Sequence, residues 1–154
     1  MHRNRTLATA LAAATLGAIA LTAPAAGAST AAGDSAQAAG CVGSAFSGTL
    51  QSGKAICNGN YLVRMQTNGD LVLRVISTGT ACWRSATDRA PGGDTSATFH
   101  GTIVGPPSVT IDSTSQGRLA EIWGAHTLQH FGTNANVNTR GEFWIGYKKI
   151  GACS

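Results

Sequence analysis

The chain of 154 residues has little charge, few aromatic rings and no long apolar segment beyond its N-terminal part. Charged residues make up 12% and aromatic residues 6% of it. A nucleic-acid-binding protein is expected to carry a basic stripe or a recognisable module. Beyond the N-terminus the basic residues stand singly, with only Lys148 and Lys149 adjacent. We therefore expect no nucleic-acid partner.

Motifs for metal binding and catalysis are also missing. The sequence has no C-x-x-C pair, no G-x-S-x-G and no phosphate-binding loop. His126 and His130 are four residues apart, but on a strand this spacing separates them by roughly 13 Å. Five acids could supply a glycosidase pair in principle, although they fall in no motif: Asp88, Asp94, Asp112, Glu121 and Glu142. The expectation is a protein without metal, cofactor or catalytic activity.

The N-terminus has the parts of a secretory signal peptide. A short basic start precedes an apolar run over residues 7–21, which is shorter than the roughly twenty residues of a membrane span. Small residues follow, and the cleavage pattern fits Ala26-Gly27-Ala28 best, with residues 23–25 and 36–38 as competitors. We predict a signal peptide over residues 1–28, a secreted, extracellular protein and no membrane partner.

Residues 29–40 contain mostly small side chains and are predicted to form a flexible lead-in. The folded domain then spans residues 41–154. Residues 38–41 loosely resemble a lipoprotein cleavage box, which would place a lipid on Cys41. The box normally lies directly behind the apolar run, and here it does not.

The domain shows the pattern of an all-β protein. Gly, Thr, Ser and Asn interrupt it at short intervals, and no helical periodicity is sustained. Strands are predicted at residues 61–66, 71–76, 97–104, 108–111, 119–123, 127–131 and 142–147.

Two hairpins define the register. A three-residue loop at Thr67-Asn68-Gly69 pairs Gln66 with Asp70 and places all the large apolar residues from Tyr61 to Val75 on one face, except Leu62 and Val72. Residues 137–145 are predicted to form a second hairpin of the same kind, with its three-residue loop ending at Gly141. A weaker copy surrounds Gly117, where neither loop length separates apolar from polar residues. The three glycines suggest an internal repeat.

The motifs in residues 50–87 resemble those of the bulb-type (mannose-binding) lectin family. They are Leu50-x-x-Gly53-x-x-Ile56-x-x-Gly59-x-Tyr61, then Met65-Gln66-x-x-Gly69-x-Leu71-Val72-Leu73, then Cys82-Trp83-x-Ser85-x-Thr87. The resemblance implies a β-prism of three four-stranded sheets with pseudo-threefold symmetry. It also implies one sugar site per repeat and no catalysis.

The resemblance places a carbohydrate site at Gln66, Asn68, Asp70, Val72 and Arg74. The family signature is Gln-x-Asp-x-Asn-x-Val-x-Tyr, so the acid and the amide are exchanged and an arginine replaces the tyrosine. The ligand is therefore a mannose-type sugar or, because of Arg74, an acidic one.

The other two repeats keep less of the signature. The second offers Thr114, Gln116, Arg118, Ala120 and Ile122, and the third offers Asn138, Arg140, Glu142, Trp144 and Gly146. Both are expected to be scaffold, with the outward-facing Trp144 as the best aromatic candidate for a contact.

Four cysteines in a small exported domain predict two disulfides. The hairpin register and the repeat positions favour Cys57 with Cys82 and Cys41 with Cys153. The resulting hypothesis is a secreted, disulfide-bonded lectin. The alternative is a lectin-derived scaffold that binds a protein partner, as an inhibitor, toxin or surface-interaction factor. The oligomeric state stays open.

Overall fold

The computed structural model describes residues 40–88, 94–130 and 132–154. The predicted signal peptide and all but the last residue of the lead-in lie outside this part. Within it the fold is all-β, as predicted, with twelve strands. They are β1 (Ala45–Phe46), β2 (Thr49–Gln51), β3 (Ala55–Asn58), β4 (Tyr61–Met65), β5 (Leu71–Val75), β6 (Ala81–Arg84), β7 (Thr95–His100), β8 (Ser108–Ser113), β9 (Gly117–Trp123), β10 (Ala135–Val137), β11 (Glu142–Ile145) and β12 (Lys148–Ala152).

The strands form three four-stranded antiparallel sheets, which confirms the predicted architecture. We call β3-β4-β5-β6 the first sheet, β2-β7-β8-β9 the second and β1-β10-β11-β12 the third. Each sheet begins with one of the first three strands and continues with three strands that follow one another along the chain. Each of the three sheets therefore contains one of the three short strands at the start of the domain.

Both predicted hairpin registers are confirmed. Tyr61 pairs with Val75 and Met65 with Leu71, and the Gln66 amide donates to the Asp70 carbonyl at 2.8 Å. Val137 pairs with Phe143 in the third sheet. Gly69 and Gly141 have φ values of 92° and 73°, which a residue with a side chain rarely adopts. The two loops therefore depend on glycine.

One hydrophobic core lies between the sheets and receives side chains from all of them. The alternating residues Val63, Met65, Leu71 and Leu73 of the first sheet are fully buried in it. The second sheet adds Ala97, Val109 and Ile111, and the third adds Val137, Phe143 and Ile145. The opposite face of each sheet points away from this core.

The predicted strand over 127–131 is wrong within its described residues. The Thr127 amide donates to the His130 carbonyl at 3.0 Å, and the chain bends back between them at residues 128 and 129. The strands β6, β10 and β12 were absent from the prediction, and so were β1, β2 and β3. The last three have two to four residues each, which is too short for an alternating pattern to stand out.

All four cysteines form disulfides, but the predicted pairing is wrong. The structure joins Cys41 to Cys57 and Cys82 to Cys153. Cys57 lies on β3 and Cys82 on β6, at opposite edges of one sheet. Three strand spacings put them about 14 Å apart, well beyond the Cα separation of about 7 Å that a disulfide tolerates. The register of the hairpin predicts only which residues of the neighbouring strands β4 and β5 lie opposite each other.

The observed bridges secure both ends of the domain. Cys41 pairs with Ala55 in an isolated bridge, which brings it beside Cys57, and its sulfur is therefore not available for a lipid. Cys82–Cys153 closes a loop with a sequence separation of 71 and stabilises the fold by about 4 kcal/mol in the chain-entropy model. No helix among the described residues is long and apolar enough to cross a membrane.

Candidate functional site

Strand pairing shows which residues of the three sheets occupy equivalent positions. In each sheet the second and third strands in order are β4 and β5, β7 and β8, or β10 and β11. The counterpart of the Gln66–Asp70 hairpin in the second sheet is therefore the loop over residues 101–107. The sequence had assigned this role to the hairpin at Gly117, which instead joins the third and fourth strands. The predicted second-repeat positions are displaced for this reason.

A β-bulge in the second sheet explains why the pattern near Gly117 could not be resolved. The register shifts between Ile111 and Asp112, so Ile111 pairs with Ala120 while Asp112 pairs with Arg118. Beyond the shift, Ala120 and Ile122 pack against the core, and Glu121 and Trp123 lie on the outer face. Of the five predicted second-repeat positions, only Arg118 lines the outer groove. A bulge inverts the alternation that sequence reasoning relies on.

The structure places the predicted first-repeat residues on the outer face of the first sheet and in its hairpin loop. The Asp70 carboxylate is already engaged there. It accepts hydrogen bonds from the Ser85 hydroxyl at 2.8 Å and the Thr87 amide at 3.3 Å, and Arg84 lies 3.3 Å away. Only 4% of the Asp70 side chain is exposed. This acid therefore holds the hairpin to the chain beyond β6.

Val72 and Arg74 are similarly occupied. Val72 is 2% exposed and is flanked across the strands by Arg64 and Arg84, whose long aliphatic stems cover apolar surface. Arg74 donates from Nη1 to the Gly79 carbonyl at 2.8 Å. The Asn68 side chain accepts from the Asp70 amide at 3.2 Å. The accessible part of the predicted site is an open cleft of about 380 Å³, which Gln66 and Asn68 line beside Arg64.

The third sheet carries an internal polar cluster around Glu142. Its carboxylate accepts from Asn138 Nδ2 at 2.6 Å, from Arg140 Nη2 at 2.9 Å and from Trp144 Nε1 at 3.4 Å. The bond from Asn138, followed by those from Arg140 and Lys149, lowers the pKa of Glu142 to about 2. Trp144, the predicted aromatic contact, faces outward but is half-buried in this cluster.

A third carboxylate also has a structural role. Asp94 accepts from the Ser115 hydroxyl at 2.6 Å and from the Ser113 hydroxyl at 3.0 Å. The bond from Ser115 is the largest cause that lowers the pKa of Asp94. Asp88 pairs with Arg84 at 3.1 Å. Of the five acids noted in the sequence, this leaves Asp112 and Glu121, and both lie on the outer face of the second sheet.

That outer face forms a groove of about 490 Å³. Its floor and walls include His100, Thr110, Arg118, Glu121 and Trp123. By strand register His100 stands where Gln66 stands in the first sheet, and Thr110 where Val72 stands. The groove thus occupies the position that the sequence predicted for a sugar, on a different sheet.

Side chains on one wall form a hydrogen-bonded chain. The Thr110 hydroxyl donates to Asp112 Oδ2 at 2.5 Å, so its oxygen accepts from His100 Nε2, 3.0 Å away. The guanidinium of Arg118 continues the chain, with Nε 3.4 Å from Asp112 Oδ1. The hydrogen bonds fix the orientation of these groups before any ligand arrives.

The other wall contains Glu121 and Trp123. Arg118 Nη1 lies 3.7 Å from Glu121 Oε2, and Ser108 donates to Glu121 Oε1 at 2.9 Å. The next outward residue is Trp123, and it is 51% exposed. Arg118 and Glu121 are the charged residues that line the groove, and Asp112, the other partner of Arg118, lies beside it. The three together have a net charge of about −1. A flat aromatic surface beside fixed polar groups suits a ring that has hydroxyls at its rim and an apolar face.

The described residues contain no group of three or more His, Cys, Asp or Glu side chains that could hold a metal ion. No protein-family model matches the chain, and no curated protein matches it either.

Proposed function

We propose that the protein is a secreted, non-catalytic carbohydrate-binding protein with the architecture of a bulb-type lectin, and that its main sugar site is the groove of the second sheet. The observation that carries the proposal is the half-exposed Trp123 beside the hydrogen-bonded chain from His100 to Arg118. The three-sheet fold supports it. The two disulfides are compatible with an extracellular protein.

The electrostatics of the groove favour a neutral sugar. Arg118 lies between Asp112 and Glu121 and balances only one of their charges, so an anionic ring would meet net repulsion. Glu121 offers acceptor oxygens for sugar hydroxyls, and Trp123 offers a stacking surface. A mannose-type hexose fits this chemistry. Since both carboxylates share Arg118, neither faces the groove without a cation, and binding is proposed without hydrolysis.

The first sheet supports the alternative, a lectin-derived scaffold that binds a protein partner. Its predicted sugar residues Asp70 and Val72 are buried, and its outer face carries Arg64, Arg74 and Arg84. A face of this kind suits an acidic protein or an acidic glycan better than a neutral sugar.

A glycan array on the oxidised protein tests the proposal, followed by calorimetry with the free sugar. The expected result is a signal that a neutral monosaccharide competes away and that Trp123→Ala abolishes. The matched control is Trp123→Phe, which retains an aromatic face. A silent array together with a protein partner captured by the same preparation would overturn the carbohydrate proposal in favour of the scaffold.

A further inference from the structure

Three loops meet where the second and third sheets adjoin. We call residues 101–107, 124–130 and 146–148 the loop edge. The Gly124 amide donates to the Pro107 carbonyl at 2.8 Å, and the Tyr147 amide donates to the Ala125 carbonyl at 2.9 Å. The rings of His130 and Tyr147 lie 6.3 Å apart between centroids. These contacts hold the loops together as one surface.

The loop edge exposes large apolar side chains to an unusual degree. Leu128 is fully exposed, at 103%, Val104 at 84% and Ile103 at 81%, and Tyr147 adds a half-exposed ring. Aliphatic groups in these positions contribute nothing to the core and remain hydrated, at a cost that burial against a partner would remove. Because each side chain is almost fully exposed, most of its surface projects into solvent, although Val104 also borders the groove of the second sheet and Ile103 a smaller neighbouring cleft.

The charge of the loop edge has one sign. Its three segments contain Lys148, His126 and His130 and no aspartate or glutamate. Glu121 lines the adjoining groove together with Val104, and Asp70, Asp94 and Glu142 brace hairpins of the three sheets. A partner for this surface must therefore accept apolar projections, and Lys148 favours a partner that carries negative charge.

We propose that the loop edge binds an anionic lipid bilayer, with Ile103, Val104 and Leu128 entering the interfacial region and Lys148 facing the headgroups. A fluid bilayer accommodates separate projecting side chains, whereas a protein partner would need matching cavities for each. Anionic headgroups add roughly 1 kcal/mol per nearby cation, or about fivefold in binding. The expectation of no membrane partner came from the lack of a spanning segment, which does not address peripheral contact of this kind.

Vesicle flotation of the oxidised protein tests the proposal, using phosphatidylcholine alone or mixed with phosphatidylglycerol. The expected result is binding to the mixed vesicles and at least about tenfold weaker binding after Ile103→Ser with Leu128→Ser, because two apolar side chains no longer enter the interface. Val104 is left unchanged because it also lines the sugar groove. The control Val42→Ser alters a residue that is 58% exposed but lies outside the loop edge, and it should bind as the parent does.

A second pair of variants tests the charge. Lys148→Ala should weaken binding to the mixed vesicles about fivefold, and Lys54→Ala, an exposed lysine on the first sheet's side, should not. The proposal is overturned if the parent protein binds neither kind of vesicle, or if the double serine variant binds as well as the parent. Capture of a soluble protein through Ile103 without vesicle binding would make the loop edge a protein interface and overturn it equally. The double serine variant should still bind the sugar. A loss of vesicle binding with retained sugar binding distinguishes the membrane proposal from the carbohydrate proposal.

Discussion

The outer faces of the first and second sheets are formed by strands in equivalent positions and with nearly the same register. They differ in how accessible their side chains are. On the first sheet Asp70 of the predicted site is buried and held by Ser85, Thr87 and Arg84. On the second, the groups at the same positions form an open groove beside Trp123. The resemblance of the first repeat to the family signature therefore does not keep Asp70 and Val72 accessible. The open site lies where the signature is lost.

The largest expected effect is a loss of folding stability when the buried acid of the first sheet is removed. Asp70→Ala should destabilise the fold by about 3 kcal/mol, because it leaves buried hydroxyl and amide donors without their acceptor. Urea unfolding measures the loss, and calorimetry on the folded protein should show unchanged binding to the neutral sugar. The matched control is Asp88→Ala, which removes an exposed partner of the same Arg84 and should cost less than about 1 kcal/mol. Loss of sugar binding with intact stability would make Asp70 a ligand residue.

The next effect concerns the aromatic surface of the groove. Trp123→Ala should weaken binding of the neutral sugar by about 2 kcal/mol, or about 30-fold, because it removes both the stacking contact and the apolar area. Trp123→Phe should recover most of this. Titration calorimetry provides the affinities. Equal affinities in the parent and the alanine variant would exclude the groove as the site.

A pair of equivalent positions separates the two faces directly. His100 and Gln66 occupy corresponding places in the second and first sheets. We expect His100→Ala to weaken sugar binding about fivefold through the loss of one hydrogen-bonding group, and Gln66→Ala to leave it unchanged. The opposite pattern would return the sugar site to the first sheet, where the sequence placed it.

The smallest effect is the response to salt. Binding of the neutral sugar in the groove should change less than about twofold between low and high ionic strength, because the ligand carries no charge. An acidic glycan held by Arg74 on the first sheet should instead lose affinity as the salt concentration rises. Affinities measured across a salt series with both kinds of ligand test this. A strong salt dependence for the neutral sugar would contradict the electrostatic description of the groove.

Much of the fold could be predicted because local rules were sufficient. The glycine hairpins at Gly69 and Gly141 fixed the register of two sheets, and the alternation of Val63, Met65, Leu71 and Leu73 identified the buried face. The family resemblance supplied the number of sheets. Each of these signals is carried by residues that are neighbours in sequence.

The parts that could not be predicted depend on residues distant in sequence or on a local irregularity. The cysteine pairing depends on which strands form the edges of a sheet. The register of a single hairpin contains no information about those edges. The groove was missed because the bulge between Ile111 and Asp112 turns Glu121 and Trp123 outward in place of Ala120 and Ile122. A polar Glu121 between Ala120 and Ile122 was the one sequence signal that could have revealed it.

The distribution of the first three strands among three sheets has a consequence for how the chain folds. Ala45 pairs with Asn136, and Leu50 pairs with Ala97, so two of the sheets are incomplete until distant parts of the chain have been synthesised. Only the first sheet is assembled from consecutive residues. Pairings over such separations make folding slow. The second and third sheets can therefore be completed only after the chain beyond Ala97 and Asn136 has been made.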